Sequence, residues 1–160
     1  MKSWKRAMGL VLATALISTS VTLAQQIPKK KYQVIVVTRF EAAPDVAVPV
    51  RYQTTIMKEL ASALLGTGKF KFVVREGDPP KDLGLPKLTL KGTVTRFYIG
   101  GPLNPGMAAH IKFIDETSNQ VLSEADVSGK IRPFDEDYTM IGAIQRFARE
   151  TAKIATQKFF

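Results

Sequence analysis

A chain of 160 residues, 45% of them hydrophobic, is long enough to bury one substantial core, and the absence of cysteine means no disulfide braces it. One histidine and no cysteine also exclude a His/Cys metal site. The 23 basic and 14 acidic residues give a net charge of +9, and without the three cations of residues 1–24 the balance is 20 against 14, too moderate to point to a nucleic-acid partner.

Residues 1–24 read as a secretory signal. Lys2, Lys5 and Arg6 form a charged start, Ala7–Ile17 is apolar, and Thr22-Leu23-Ala24 offers the small residues a signal peptidase reads. Ser18, Thr19, Ser20 and Thr22 dilute the run below the roughly 18–20 well-apolar residues of a membrane span. Cleavage after Ala24 makes Gln25 the first mature residue. No cysteine follows to carry a lipid, so no stable membrane insertion is expected after cleavage. Residues 25–31 (QQIPKKK) are a basic leader, and 32–160 form a single domain.

In the YQVIVVTRF stretch, Val34–Val37 is a β-branched run of the kind found in a covered central strand. EAAPDVAVP is a connector, with Pro49 placed to open a helix. From Val50 to Leu65 the period becomes helical. Tyr52, Ile56, Leu60 and Leu64 recur every four residues with Met57, Ala61 and Leu65 beside them, and Gly66 and Gly68 end the run. FKFVV (70–74) is the next strand, so a right-handed crossover between parallel strands is predicted. Gly66-Thr67-Gly68-Lys69 has residue types of a phosphate loop. It ends a helix instead of opening one, however, and Phe70 stands where a hydroxyl residue is needed.

Residues 75–86 form a loop, and three alternating segments follow. Leu88, Leu90 and Val94 share one face, then Ala109, Ile111 and Phe113, then Val121, Ala125, Val127 and Ile131. This pattern predicts an antiparallel meander with one wet side, turning at Asp115–Gln120. GGPLNPGM (100–107) is its long hairpin loop. The apolar Leu103 and Met107 and the polar Asn104 at this tip are candidate partner contacts, because binding residues are often carried on loops held by a rigid scaffold.

The last helix runs from about Tyr138 to Lys158 on a stripe of Met140, Ile141, Ile144, Phe147, Ala148, Ile154 and Ala155. Asp135, Glu136 and Asp137 are expected at its positive N-terminal end, with Arg146, Arg149 and Lys153 toward the other end. An EF-hand counted from Asp135 fails, with Met140 and Arg146 at the positions for Gly and Glu. The fold expected is α+β, a two-layer βαβββα domain. Its five-stranded sheet is mixed and mostly antiparallel, with both helices on one face.

Candidate chemistry is sparse. Glu124 and Asp126 lie two apart on a strand, roughly 7 Å, and face one way. His110 points to the same wet side, and no Gly-x-Ser-x-Gly elbow accompanies it. The plain reading makes the acids solubilising and the histidine an exposed structural residue. The alternative is a small secreted hydrolase using these carboxylates. A third reading is a binder of anionic polymer through Lys29, Lys30, Lys31 and the helix cations.

LKGTVTRFYIGG (90–101) followed by AAHIKFIDETSNQVLSEADVSGKI (108–131) resembles the domain-of-unknown-function 4410 family of bacterial envelope proteins. More distantly, the layout is similar to the curli-assembly lipoprotein and to the N-terminal domain of TolB. The resemblance implies an envelope location and this fold, and it brings no catalytic residue. Two features depart from the family: the lipoprotein cysteine is missing, and Pro102 and Pro105 interrupt the glycine-rich hairpin. Together these readings point to a periplasmic or secreted protein. It is expected to contact an unknown envelope protein, with no catalytic activity and no cofactor.

Overall fold

The structure, a computed structural model, describes residues 32–78, 84–100, 104–135 and 138–160. The signal segment, the leader with Lys29–Lys31, and Leu103 lie outside the described residues.

Strand β1 (Val34–Val37) is central. Its continuous apolar sequence fits a position between β3 (Phe72–Arg75) and β4 (Lys87–Tyr98), parallel to both. β5 (Gly106–Asp115) and β6 (Val121–Lys130) continue the sheet antiparallel, giving the order β3-β1-β4-β5-β6. Helices α1 (Val50–Gly66) and α2 (Met140–Phe159) cover one face. The domain is α+β, as the alternation of periods predicts. Among the described residues, no helix is long and apolar enough to cross a membrane.

One short strand was not expected. β2 (Glu41–Ala42) lies in the segment read as a connector and pairs parallel with Thr93–Val94 of β4, further along the edge that β1 occupies. Between β1 and β2 the chain leaves the ladder and turns Phe40 inward over Gly92. A Cβ at Gly92 would overlap the Phe40 ring, which packs edge-on against Phe147 with centroids 6.0 Å apart. Only glycine leaves room for that ring in the middle of β4.

The core collects Leu88, Leu90, Val94, Ala109, Ile111, Phe113 and Val127 from the sheet, Ile56, Leu60 and Leu64 from α1, and Ala143, Ile144, Phe147 and Ala148 from α2. The expected faces are largely the observed ones, but Leu65 of the α1 stripe, Ile141 of the α2 stripe and Val121 at the start of β6 are exposed. Gly68 takes the left-handed conformation beyond the end of α1, where its N–H donates to Leu65 O at 3.0 Å. This accounts for the glycines there without a phosphate.

The start of α2 differs from expectation. Thr139 is its N-cap, accepting from Gly142 N at 3.0 Å, and the first turn holds no acid. Asp135 belongs to the preceding turn. It accepts from Arg132 N at 2.9 Å and pairs with Arg146 at 2.7 Å. Glu136 and Asp137 lie outside the described residues. Arg146 falls in the first half of α2, and only Lys158 supplies positive charge in the last turn.

At the other end of the sheet, Tyr32 donates to the buried Asp115 at 2.7 Å, and burial together with that carboxylate pushes the phenol pKa above its ordinary value. Asp115 Oδ1 also accepts from Thr117 N and Ser118 N at 2.8 and 2.9 Å, which folds the predicted turn into β6.

Candidate functional site

The hairpin loop was expected to carry Leu103, Asn104 and Met107 at a free tip. Asn104 is exposed, and its Oδ1 accepts a hydrogen bond from the Tyr138 hydroxyl at 3.0 Å. Met107 is not at the tip. β5 begins at Gly106, so its alternation places Met107 with Ala109, Ile111 and Phe113 on the core face, where it is 1% exposed. Extending the apolar alternation of β5 back by two residues finds this position from the sequence.

The Asn104–Tyr138 bond ties the hairpin to the connection between β6 and α2, two segments 34 residues apart. Around this junction Tyr98, Ile99, Phe134, Tyr138 and Ile141 are all exposed. Phe134 stands out because it is fully exposed and its φ is 73°, in the left-handed region. A bulky side chain held there costs about 1–3 kcal/mol, and such strain concentrates at ligand-contacting sites. The connection that holds it is braced by Arg146, which bonds both Asp135 and, at 3.3 Å, the carbonyl of Lys130.

Beside the junction is a cleft of about 750 Å³ between the hairpin and α2, with Met107 and Ile131 among its apolar lining. Five cations, Arg96, Lys130, Arg132, Arg146 and Arg149, line it against one carboxylate, Glu150. Asp135 engages Arg146. Among the described residues, no ion pair engages the side chains of Arg96, Lys130, Arg132 or Arg149. The sequence showed Arg146 and Arg149 as helix cations, but gave no sign that the β4 and β6 ends would bring three more beside them.

The structure also brings together three residues considered separately in the sequence. The antiparallel register sets His110 opposite Asp126 and Lys112 opposite Glu124. His110 Nδ1 lies 2.9 Å from Asp126 and Nε2 lies 3.3 Å from Glu124, while Lys112 is 3.6 Å from Glu124. The acids therefore have an oriented partner, which their own strand could not reveal. The hydrogen bonds to Asp126 and then Glu124 raise the His110 pKa above 6.5, more than offsetting the opposing effect of partial burial. With both ring nitrogens engaged, neither is free to take a proton from a nucleophile. Among the described residues, no cluster of His, Cys, Asp and Glu is arranged to hold a metal ion.

Because His110 gains its partners on folding, the cluster's stabilisation is fully present below the unfolded pKa near 6.5 and is lost as pH rises through the higher folded value. We predict a proton NMR titration midpoint for His110 above 6.5 that falls in Asp126→Asn. A midpoint unchanged by that substitution would remove Asp126 as the main cause.

No protein-family model matches the sequence, and no curated protein is similar enough to count as a relative, so the resemblance to the 4410 family is not confirmed. Solved structures do share the fold. The PelC dodecamer of Paraburkholderia phytofirmans is 12% identical, with a TM-score of 0.56 over 75% of this chain and 84% of that one. A Xanthomonas campestris protein of domain-of-unknown-function family 330 is 13% identical, with a TM-score of 0.52 over 78% and 83%. A hypothetical protein of Chlamydia trachomatis is 13% identical, with a TM-score of 0.52 over 80% and 98%. At these identities the likeness is one of fold.

Proposed function

We propose that the chain is an exported accessory protein of the bacterial envelope that works by binding a partner protein and carries out no reaction of its own. The signal-like residues 1–24 support export, with the mature protein periplasmic or secreted. The similarity in fold to PelC, which forms a dodecamer, is consistent with a module that works through protein contacts.

The observation that carries the reading is Phe134, a fully exposed aromatic ring on a strained backbone at the junction of two braced segments. A side chain that buries nothing within its own chain, in a conformation that costs stability, is accounted for by a surface outside the chain. Tyr138, four residues further along the same connection, and Tyr98 at the end of β4 are exposed and of a residue type enriched where interfaces concentrate their binding energy.

Phe134→Gly tests this directly, because glycine accepts the positive φ without strain. The variant is expected to melt at or above the wild-type temperature and to lose an envelope protein that the tagged wild type captures from its native cell. Capture of the same protein at wild-type yield would remove Phe134 as the anchor, and failure of the wild type to capture any envelope protein would sink the reading. The hydrolase alternative draws on the His110, Asp126 and Glu124 cluster and predicts hydrolytic turnover that Asp126→Asn and Glu124→Gln abolish.

A further inference from the structure

We propose that the cationic cleft between the β4–β5 hairpin and α2 receives an acidic, amphipathic segment of the partner protein. This inference rests on the reading that the chain works by binding a protein, and it names the chemistry of what is bound.

Three features of the cleft select this occupant. The first is charge. Arg96, Lys130, Arg132 and Arg149 come from β4, β6, the β6–α2 connection and α2, and no carboxylate among the described residues pairs with them. Four like charges gathered around one recess repel one another, and anionic groups entering it relieve that repulsion. The guanidinium groups also present paired N–H donors that match the two oxygens of a carboxylate.

The second is the lining. The exposed ring of Tyr98 and the aliphatic stems of the arginines supply apolar surface between the cations. A segment that alternates acidic and apolar side chains uses both, whereas a polyphosphate or an anionic headgroup leaves the apolar part unfilled. The third is shape. The recess of about 750 Å³ lies between two walls, hairpin and helix, and a protruding chain segment enters it where a planar bilayer does not. The exposed Phe134 lies on the connection and the exposed Ile141 in the first turn of α2, so one partner can span the cleft and these apolar side chains.

The probe is a short fluorescent peptide alternating Glu and Leu, titrated with the intact exported protein at physiological ionic strength. The double variant Arg132→Glu/Arg149→Glu is expected to bind it at least about tenfold more weakly. Lys58→Glu, an exposed cation of α1 away from the cleft, is expected to bind it as wild type does. Arg96→Gln/Lys130→Gln gives a second, milder test if the charge reversal disturbs folding, which thermal melting reports.

Equal affinity of wild type and both double variants would overturn the proposal, as would equal binding of a peptide with Gln in place of Glu. Binding to phosphatidylglycerol vesicles or to tripolyphosphate that the acidic peptide does not displace would overturn it in favour of a phosphate ligand. Each of these results leaves the Phe134 capture experiment standing. Conversely, intact capture by Phe134→Gly together with lost peptide binding in the charge variants would sink the assigned anchor and retain the cleft.

Discussion

Phe147→Ala is expected to cost about 3–5 kcal/mol, a large share of the roughly 5–15 kcal/mol that typically holds a domain together. Phe147 is fully buried in α2 and meets Phe40 edge-on, with centroids 6.0 Å apart and rings 88° apart. Phe40 in turn covers Gly92 of β4, so this one ring supports both the helix and the chain segment that crosses from β1 to β2. Truncation leaves a cavity bounded by helix and sheet backbone that cannot collapse without separating the two layers. Leu60→Ala, at the corresponding depth in α1, is expected to cost about 2–5 kcal/mol. Urea denaturation measures both. A loss below about 1 kcal/mol in either would contradict the shared core, since truncation at a well-packed site costs more than that.

The helices, the long strands and their inward faces were legible because each depends on local periodicity. Leu60 and Leu64 repeat at helical spacing, Leu88 and Leu90 at strand spacing, and all four are fully buried. What was not legible depends on partners distant in sequence. β2 has only two residues, and its pairing exists because β4 is long enough to accept a second strand beyond β1. The acid cluster before α2 looked like a helix N-terminus, yet Thr139 caps the helix and Asp135 reaches across to Arg146. The Pro105-Gly106 pair has the composition of a turn and so puts Met107 in the loop by local pattern, whereas Gly106 is the first residue of β5. The gathering of His110, Asp126 and Glu124 required the β5–β6 register, which the position of the turn implied but no single strand carried. The cationic cleft draws on four separate segments, and composition alone spreads those charges over the whole surface.

Gly129→Ala is expected to be as damaging as the loss of a core side chain, although it adds one methyl group. An added Cβ would lie 2.6 Å from Phe147 N and 2.9 Å from Phe147 Cβ, and it would overlap the carbonyl oxygen of Ala143. Two of these are backbone atoms of α2, which no rotamer change can move aside, so the helix itself must lift from β6. Glycine-to-alanine in a strand would otherwise gain about 0.5–1 kcal/mol from reduced freedom of the unfolded chain. Overpacking against a fixed backbone outweighs this and leaves a net loss of about 2–3 kcal/mol or more. Two other glycines calibrate the measurement. Gly106→Ala places its methyl 3.5 Å from Gly129 O, an ordinary contact, and is expected to change stability by no more than about 0.5 kcal/mol. Gly92→Ala meets the Phe40 side chain, which can yield where a helix cannot, and should fall between the two. The order of loss Gly129, Gly92, Gly106 is the expected result of thermal melting. A Gly129→Ala variant as stable as wild type would mean that α2 does not rest on β6 this closely. The same displacement moves Arg146 and Arg149 away from Lys130, so a Gly129→Ala protein that still folds is also expected to bind the acidic peptide more weakly. Gly66→Ala, whose added methyl meets nothing within 4 Å and which lies outside the cleft lining, should bind it as the wild type does.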